Sequence, residues 1–166
     1  MCLTVCGFWS NLDNICILME NLHQDFKDFL NLLNSHQVDY LLVGGYAVSI
    51  HGYPRYTGGI DFWIAVSDEN APKVVAALRE FGFDSPELSV EMFLDENRMT
   101  RLGHEPVKIE ILNRISGLNF ADAKHRSIEV VIDDLKIPVI SLEDLRINKL
   151  ASGRPKDLAD LDNLPK

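Results

Sequence analysis

Two acidic residues of this chain stand alone in apolar runs that alternate like β-strands. In Ile60-Asp61-Phe62-Trp63-Ile64-Ala65-Val66, a period of two puts Asp61 with Trp63 and Ala65 on one face, and leaves Ile60, Phe62, Ile64 and Val66 to face a core. Glu110 repeats the arrangement, sharing a face with Lys108 and Leu112 opposite Val107, Ile109 and Ile111. On adjacent strands the two carboxylates would converge, and a pair of carboxylates suits a hard divalent ion such as magnesium. Taken singly, each acid also reads as a solvated position on a half-exposed strand.

Gly44-Gly45 is the second feature with chemical potential. The short apolar run Tyr40-Leu41-Leu42-Val43 ends there, as a buried strand would end at a backbone-permissive turn, and a short helix over Tyr46 to His51 is predicted beyond it. Glycines at such a junction let backbone N–H groups approach a phosphate, and the positive end of the helix dipole favours the negative charge. An ordinary turn is the alternative. Lys149 and Arg154 add positive charge late in the chain, where charge placement alone reads as a solvated helix end.

The elements that must position these residues are legible in the spacing. Leu22, Phe26, Phe29, Leu30 and Leu33 form the stripe of an amphipathic helix running to about Ser35. Asn70 is placed to cap a helix that buries Val74, Val75, Leu78 and Phe81 and stops at Gly82. Residues 84–97 carry only a weak helical signal, around Glu87 to Leu94. Met99 to Leu102 and Val107 to Leu112 read as strands joined around Gly103, and Ile128 to Ile132 and Leu135 to Ile140 as a hairpin turning at Asp133-Asp134. Ser141 with Asp144 three residues on resembles a capping box opening a helix to about Ala151, and Gly153-Arg154-Pro155 breaks it before a last helical stretch. This order predicts an α/β or α+β domain, one central mixed sheet flanked by helices.

Composition narrows the function. The 166 residues, 46% hydrophobic and 25% charged, suit a single globular unit with a real core. A formal net charge of -9 argues against a broad electrostatic grip on nucleic acid. Cys2, Cys6 and Cys16, the three cysteines, all lie in the first sixteen residues, so the body has no thiols for disulfides or a zinc site, which fits a cytoplasmic location. Residues 1–18 follow no clear period and are neither a good signal peptide nor a membrane span. They are expected to be an extension, with Met19 as the natural start of a domain over 19–166.

Taken together, Gly44-Gly45, a spacer of thirteen residues, Gly59-Ile60-Asp61-Phe62, and Glu110 on a later strand resemble the nucleotidyltransferase superfamily pattern: two small residues, an acidic-apolar-acidic triplet and a distant third acid. The loop His51-Gly52-Tyr53-Pro54-Arg55-Tyr56-Thr57, and Lys149, Ser152, Arg154, Lys156 and Asp157 near the C-terminus, extend the likeness from about Leu22 to Leu164. It is nearest to small bacterial proteins of the abortive-infection and toxin-antitoxin type. The resemblance implies transfer of a nucleotide from a nucleoside triphosphate to a hydroxyl of RNA, protein or a small molecule, with two magnesium ions held by the carboxylates and pyrophosphate leaving. Asp61 matches the second acid as a metal ligand, Glu110 the third as ligand and base, and Lys149 a phosphate contact, with Gly44, Gly45 and Arg154 at the nucleotide. Gly59 stands where the pattern has its first acid, which raises the alternative of a catalytically impaired relative that binds a nucleotide or a partner. Because so small a chain leaves little room for a separate acceptor-binding domain, a homodimer or an antitoxin-like protein is a candidate to complete the cleft.

Overall fold

The computed structural model describes residues 22–166. The three cysteines and the expected extension over 1–18 lie outside them. Helix α1 (Gln24–Ser35) buries the predicted stripe of Phe26, Phe29, Leu30 and Leu33, and the His23 ring caps it by accepting from the Asp25 N–H. Strand β1 (Tyr40–Val43) leads directly into α2 (Gly44–Ile50), so the second helix begins at the glycine pair itself. Strand β2 (Gly59–Ile64) is followed by α3 (Asn70–Glu80) and a 3-10 turn at Val90–Phe93. Then come β3 (Met99–Leu102), β4 (Lys108–Leu112), α4 (Phe120–Arg126), β5 (Ile128–Ile132), β6 (Leu135–Val139), α5 (Leu142–Ser152) and α6 (Pro155–Asn163).

The six strands form one mixed sheet in the order β3-β4-β2-β1-β6-β5. β2 lies at its centre, antiparallel to β1 and parallel to β4, so the long connection from β2 through α3 to β3 returns the chain to the far edge. One face packs against α1 and α3, where Phe29 meets Phe62 and Phe81, and Tyr40 meets Phe62 edge-on. The other face is covered at Trp63 by Phe120 of α4, with ring centroids 5.1 Å apart, and is open at Asp61. No helix among the described residues is long and apolar enough to cross a membrane.

Several local expectations shift. β2 ends at Ile64, leaving Ala65 and Val66 outside the strand, and Trp63 is buried beside its neighbours because α4 covers it. Helix α4 was not among the predicted elements; Asn119 caps it by accepting from the Ala121 and Asp122 N–H groups. Asn70 is the first residue of α3 instead of its cap, and its buried side chain accepts from Asp39 N while donating to Asp39 O and Ala65 O. Ser141 caps α5 through the Asp144 N–H, but the Asp144 carboxylate does not turn back to close a box; Arg126 grips it at 2.8 Å. The Asp133-Asp134 turn forms as the sequence implies, both residues at positive φ between the paired Ile132 and Leu135.

Candidate active site

The register of the sheet brings the two acids together. Asp61 on β2 is directly opposite Glu110 on β4, and Glu110 is opposite Arg101 on β3, so three charged side chains form one row across the open face. Arg101 donates to Glu110 Oε1 from Nε (2.9 Å), with Nη2 in ion-pair contact at 2.7 Å, and the Lys108 ammonium lies 3.4 Å from Glu110 Oε2. Burial, reinforced by the hydrogen-bonded and like-charged Glu110, pushes the Asp61 carboxyl up to about 7, with Lys108 and Lys149 acting the other way. Burial also acts to raise Glu110, but the hydrogen bonds with Asp61 and Arg101 and the Lys108 charge outweigh it and hold the group below its ordinary value. The pair thus divides into one carboxyl that resists ionising and one that is kept charged.

Gly44 abuts Asp61. It has φ +67°, a conformation L side chains rarely adopt, and a Cβ there would fall on the Asp61 carboxyl, 2.8 Å from its Cγ. Only a glycine at this turn leaves room for the acid on the neighbouring strand. Gly45 is equally confined, by Thr57 and Arg55 of the loop before β2, and Thr57 closes that loop by donating to Gly59 O at 3.0 Å. These residues border a cleft of about 810 Å³ that also takes in Lys149, Arg154 and the ends of β3 and β4. Eight Arg and Lys side chains line it against five Asp and Glu, so this cleft attracts anions although the chain as a whole is acidic.

Lys149 borders the cleft but is 4% exposed, and its ammonium is held by Asp157 at 2.8 Å and Asp160 at 2.9 Å. Arg55 clasps the same Asp160 through Nε and Nη2, at 2.5 and 2.7 Å, and Arg154 reaches Asp157 at 2.6 Å. Burial works to raise both aspartates, yet the hydrogen bonds from Arg154 and Lys149 to Asp157, and from Arg55 and Lys149 to Asp160, leave them below the usual range. This network ties the loop before β2 to α5 and α6, and so braces one wall of the cleft.

The sequence pattern singled out Asp61, Glu110, Gly44, Gly45, Lys149 and Arg154, and all six border the cleft. It did not single out Arg101 or Asp160, and it gave Lys108 only as a face neighbour of Glu110. The place of Arg101 opposite Glu110 depends on how the β3–β4 connection is closed, which alternation alone does not fix. Asp160 carried one available signal, its spacing of three from Asp157 on the last helix.

Among the described residues no group of three or more His, Cys, Asp or Glu side chains is disposed to hold a metal ion. The in-register carboxylate pair is the remaining donor set. Two carboxylates, completed by phosphate oxygens and water, fit one hard divalent ion. A second ion sharing a third carboxylate does not fit: Gly59 has no donor, and a Cβ on it would run into the Lys108 carbonyl oxygen and lie 2.8 Å from Lys108 Cβ.

Several solved structures resemble this fold, two of them nucleotidyltransferases or nucleotidyltransferase-like by description. A lincosamide antibiotic adenylyltransferase, LnuA, solved with lincomycin bound, superposes with a TM-score of 0.53 at 21% identity, covering 85% of this chain and 94% of its own. An antigenic nucleotidyltransferase-like protein from Paracoccidioides brasiliensis gives a TM-score of 0.51 at 16% identity, covering 92% of this chain and 76% of its own. No curated protein matches the sequence. A family model described as nucleotidyltransferase of unknown function (DUF6036) matches residues 19–164, nearly the whole chain, and this protein therefore belongs to that nucleotidyltransferase family.

Proposed function

We propose that the chain transfers a nucleoside monophosphate from a nucleoside triphosphate to an acceptor hydroxyl, using magnesium held by Asp61 and Glu110. The observation that carries this is the in-register pair of carboxylates on the floor of a cleft whose charged lining is more basic than acidic. The acceptor oxygen would bond to the α-phosphorus as the bond to the β-phosphate oxygen breaks, pyrophosphate leaving with that electron pair. Bound magnesium would neutralise the phosphate oxygens and favour the ionised acceptor. Glu110, held charged by Arg101 and Lys108, is the candidate to take the hydroxyl proton. Arg154, paired with Asp157 but with a side chain 74% exposed at the rim, has N–H donors left to meet the triphosphate, whereas Lys149 acts by fixing the wall.

A small-molecule hydroxyl is the acceptor class we favour over RNA or protein. The cleft of about 810 Å³ is within the ordinary range for small-molecule sites, and the similar adenylyltransferase carries lincomycin. Incubation with each α-labelled nucleoside triphosphate, magnesium and candidate hydroxyl acceptors tests the proposal. Label should move to an acceptor and fall at least about a hundredfold in Asp61→Asn. Persistence of transfer in that variant would refute it.

Gly59 favours a second reading, an impaired relative that binds a triphosphate or a partner without turnover, because position 59 has neither a carboxylate nor room for one. It predicts triphosphate binding with no labelled product. A place in a toxin-antitoxin or abortive-infection system, with a homodimer or antitoxin-like partner, rests on the sequence resemblance. Growth arrest on induced expression, abolished by Asp61→Asn, would support a toxin, and light scattering at a monomer mass would count against the dimer.

A further inference from the structure

Lys108 stands where the acidic pattern is broken. It is in register with Gly59, and its own backbone and Cβ take up the space that a side chain at position 59 would need. The Lys108 side chain is 19% exposed, and its ammonium bridges two carboxylates, Glu110 Oε2 at 3.4 Å and Glu105 Oε1 at 3.6 Å. Glu105 reaches this point because Gly58 is bare: a Cβ there would collide with the Glu105 carboxyl and lie 2.8 Å from its Cγ. Two consecutive glycines thus clear the start of β2, and the cleared side of the cleft floor holds a fixed cation between two acids.

We infer that the Lys108 ammonium substitutes for one of the two cations of a two-ion nucleotidyl-transfer site, contacting the triphosphate beside a single divalent ion at Asp61 and Glu110. The inference rests on the nucleotidyl-transfer reading and extends it. Lysine has three N–H donors, and its contacts with Glu110 at 3.4 Å and Glu105 at 3.6 Å are ion pairs without a hydrogen bond, so its donors are left for phosphate oxygens. A point charge on a flexible stem follows a phosphate more readily than a rigid fork, and it remains in place when the metal is withdrawn. The Glu105 arm of this bridge adds little stability, because Glu105 is 61% exposed and solvent screens such a pair. The absent acid and the lysine are then complementary: where a metal would need a carboxylate at position 59, Lys108 supplies a cation that needs none.

Calorimetric titration with inorganic tripolyphosphate, which removes any question of base preference, tests this in chelator-treated buffer and again with magnesium. A manganese titration of the nucleotide-free protein is run beside it. The wild-type protein should bind tripolyphosphate without divalent ions. Lys108→Met should weaken that binding about tenfold or more while strengthening manganese binding, since Glu105 and Glu110 lose their internal cation. Lys108→Arg should stay within a few-fold of wild type. Glu105→Gln, an exposed change that leaves the fold intact, should tighten chelator-resistant binding and gives a reading even if the methionine variant does not fold. Equal affinities for wild type and Lys108→Met in chelator, or wild-type binding that appears only with magnesium, would overturn the role of Lys108 while leaving the proposed function standing. Absence of tripolyphosphate binding under both conditions would overturn the two together.

Discussion

Asp61 occupies surroundings that oppose its own charge. Burial and the adjacent Glu110 carboxyl favour its protonated form, and a cation arriving at the pair would displace that proton and reverse the preference. A residue placed only for solubility would not be set opposite another acid inside a sheet. The Lys149 network has the opposite character, since its charges are buried but fully matched. Removing one acceptor there, as in Asp157→Ala, leaves Lys149 and Arg154 under-paired and should lower stability by about 3 kcal/mol in urea denaturation. The depressed carboxyls of Asp157 and Asp160 also fix a pH dependence. Their folded pKa values lie below the unfolded value of about 4, so their contribution is complete above that pH and is lost as pH falls through the folded values. Thermal melts should show stability dropping below about pH 4, with a shallower drop in Asp160→Asn.

At the scale of elements, the site depends on three strands in fixed register and on two glycine junctions. β1 must stop at a residue able to adopt φ +67° so that Asp61 has room, and β2 must start at a residue without a side chain so that β4 can lie against it. Gly59→Ala is therefore expected to destabilise the protein by about 1–3 kcal/mol through overpacking, and Gly59→Asp by at least as much, so restoring the missing acid alone would disturb the strand that holds Asp61. Differential scanning fluorimetry checks this, and unchanged melting in Gly59→Ala would show that the β2–β4 approach is looser than described. The strands themselves were legible, because alternation and the turn residues at Gly103 and Asp133-Asp134 mark them. The partnership of Asp61 with Glu110 was legible only as a condition on strand adjacency. Strand order is a long-range property: β2 pairs with β4 across forty-odd residues of intervening chain, and no local pattern encodes that choice.

For the whole molecule, a net charge of -9 coexists with a cleft that gathers eight basic side chains. The acidic remainder argues against extended nucleic-acid binding, while the cleft favours a compact polyanion. Helix α4 escaped the sequence because its seven residues are too short for a periodic stripe, and its role of covering Trp63 is tertiary. The Arg55–Asp160 clasp was hidden for a related reason, joining residues 105 apart in the chain. Titration of each magnesium–nucleoside triphosphate into the wild-type protein and into Asp61→Asn tests the central claim most directly. At least one triphosphate should bind the wild-type protein, and the variant, verified as folded by its melting curve, should bind it at least about tenfold more weakly. Equal affinity in the two proteins, or no binding by the wild type, would contradict a nucleotide site built on Asp61 and Glu110.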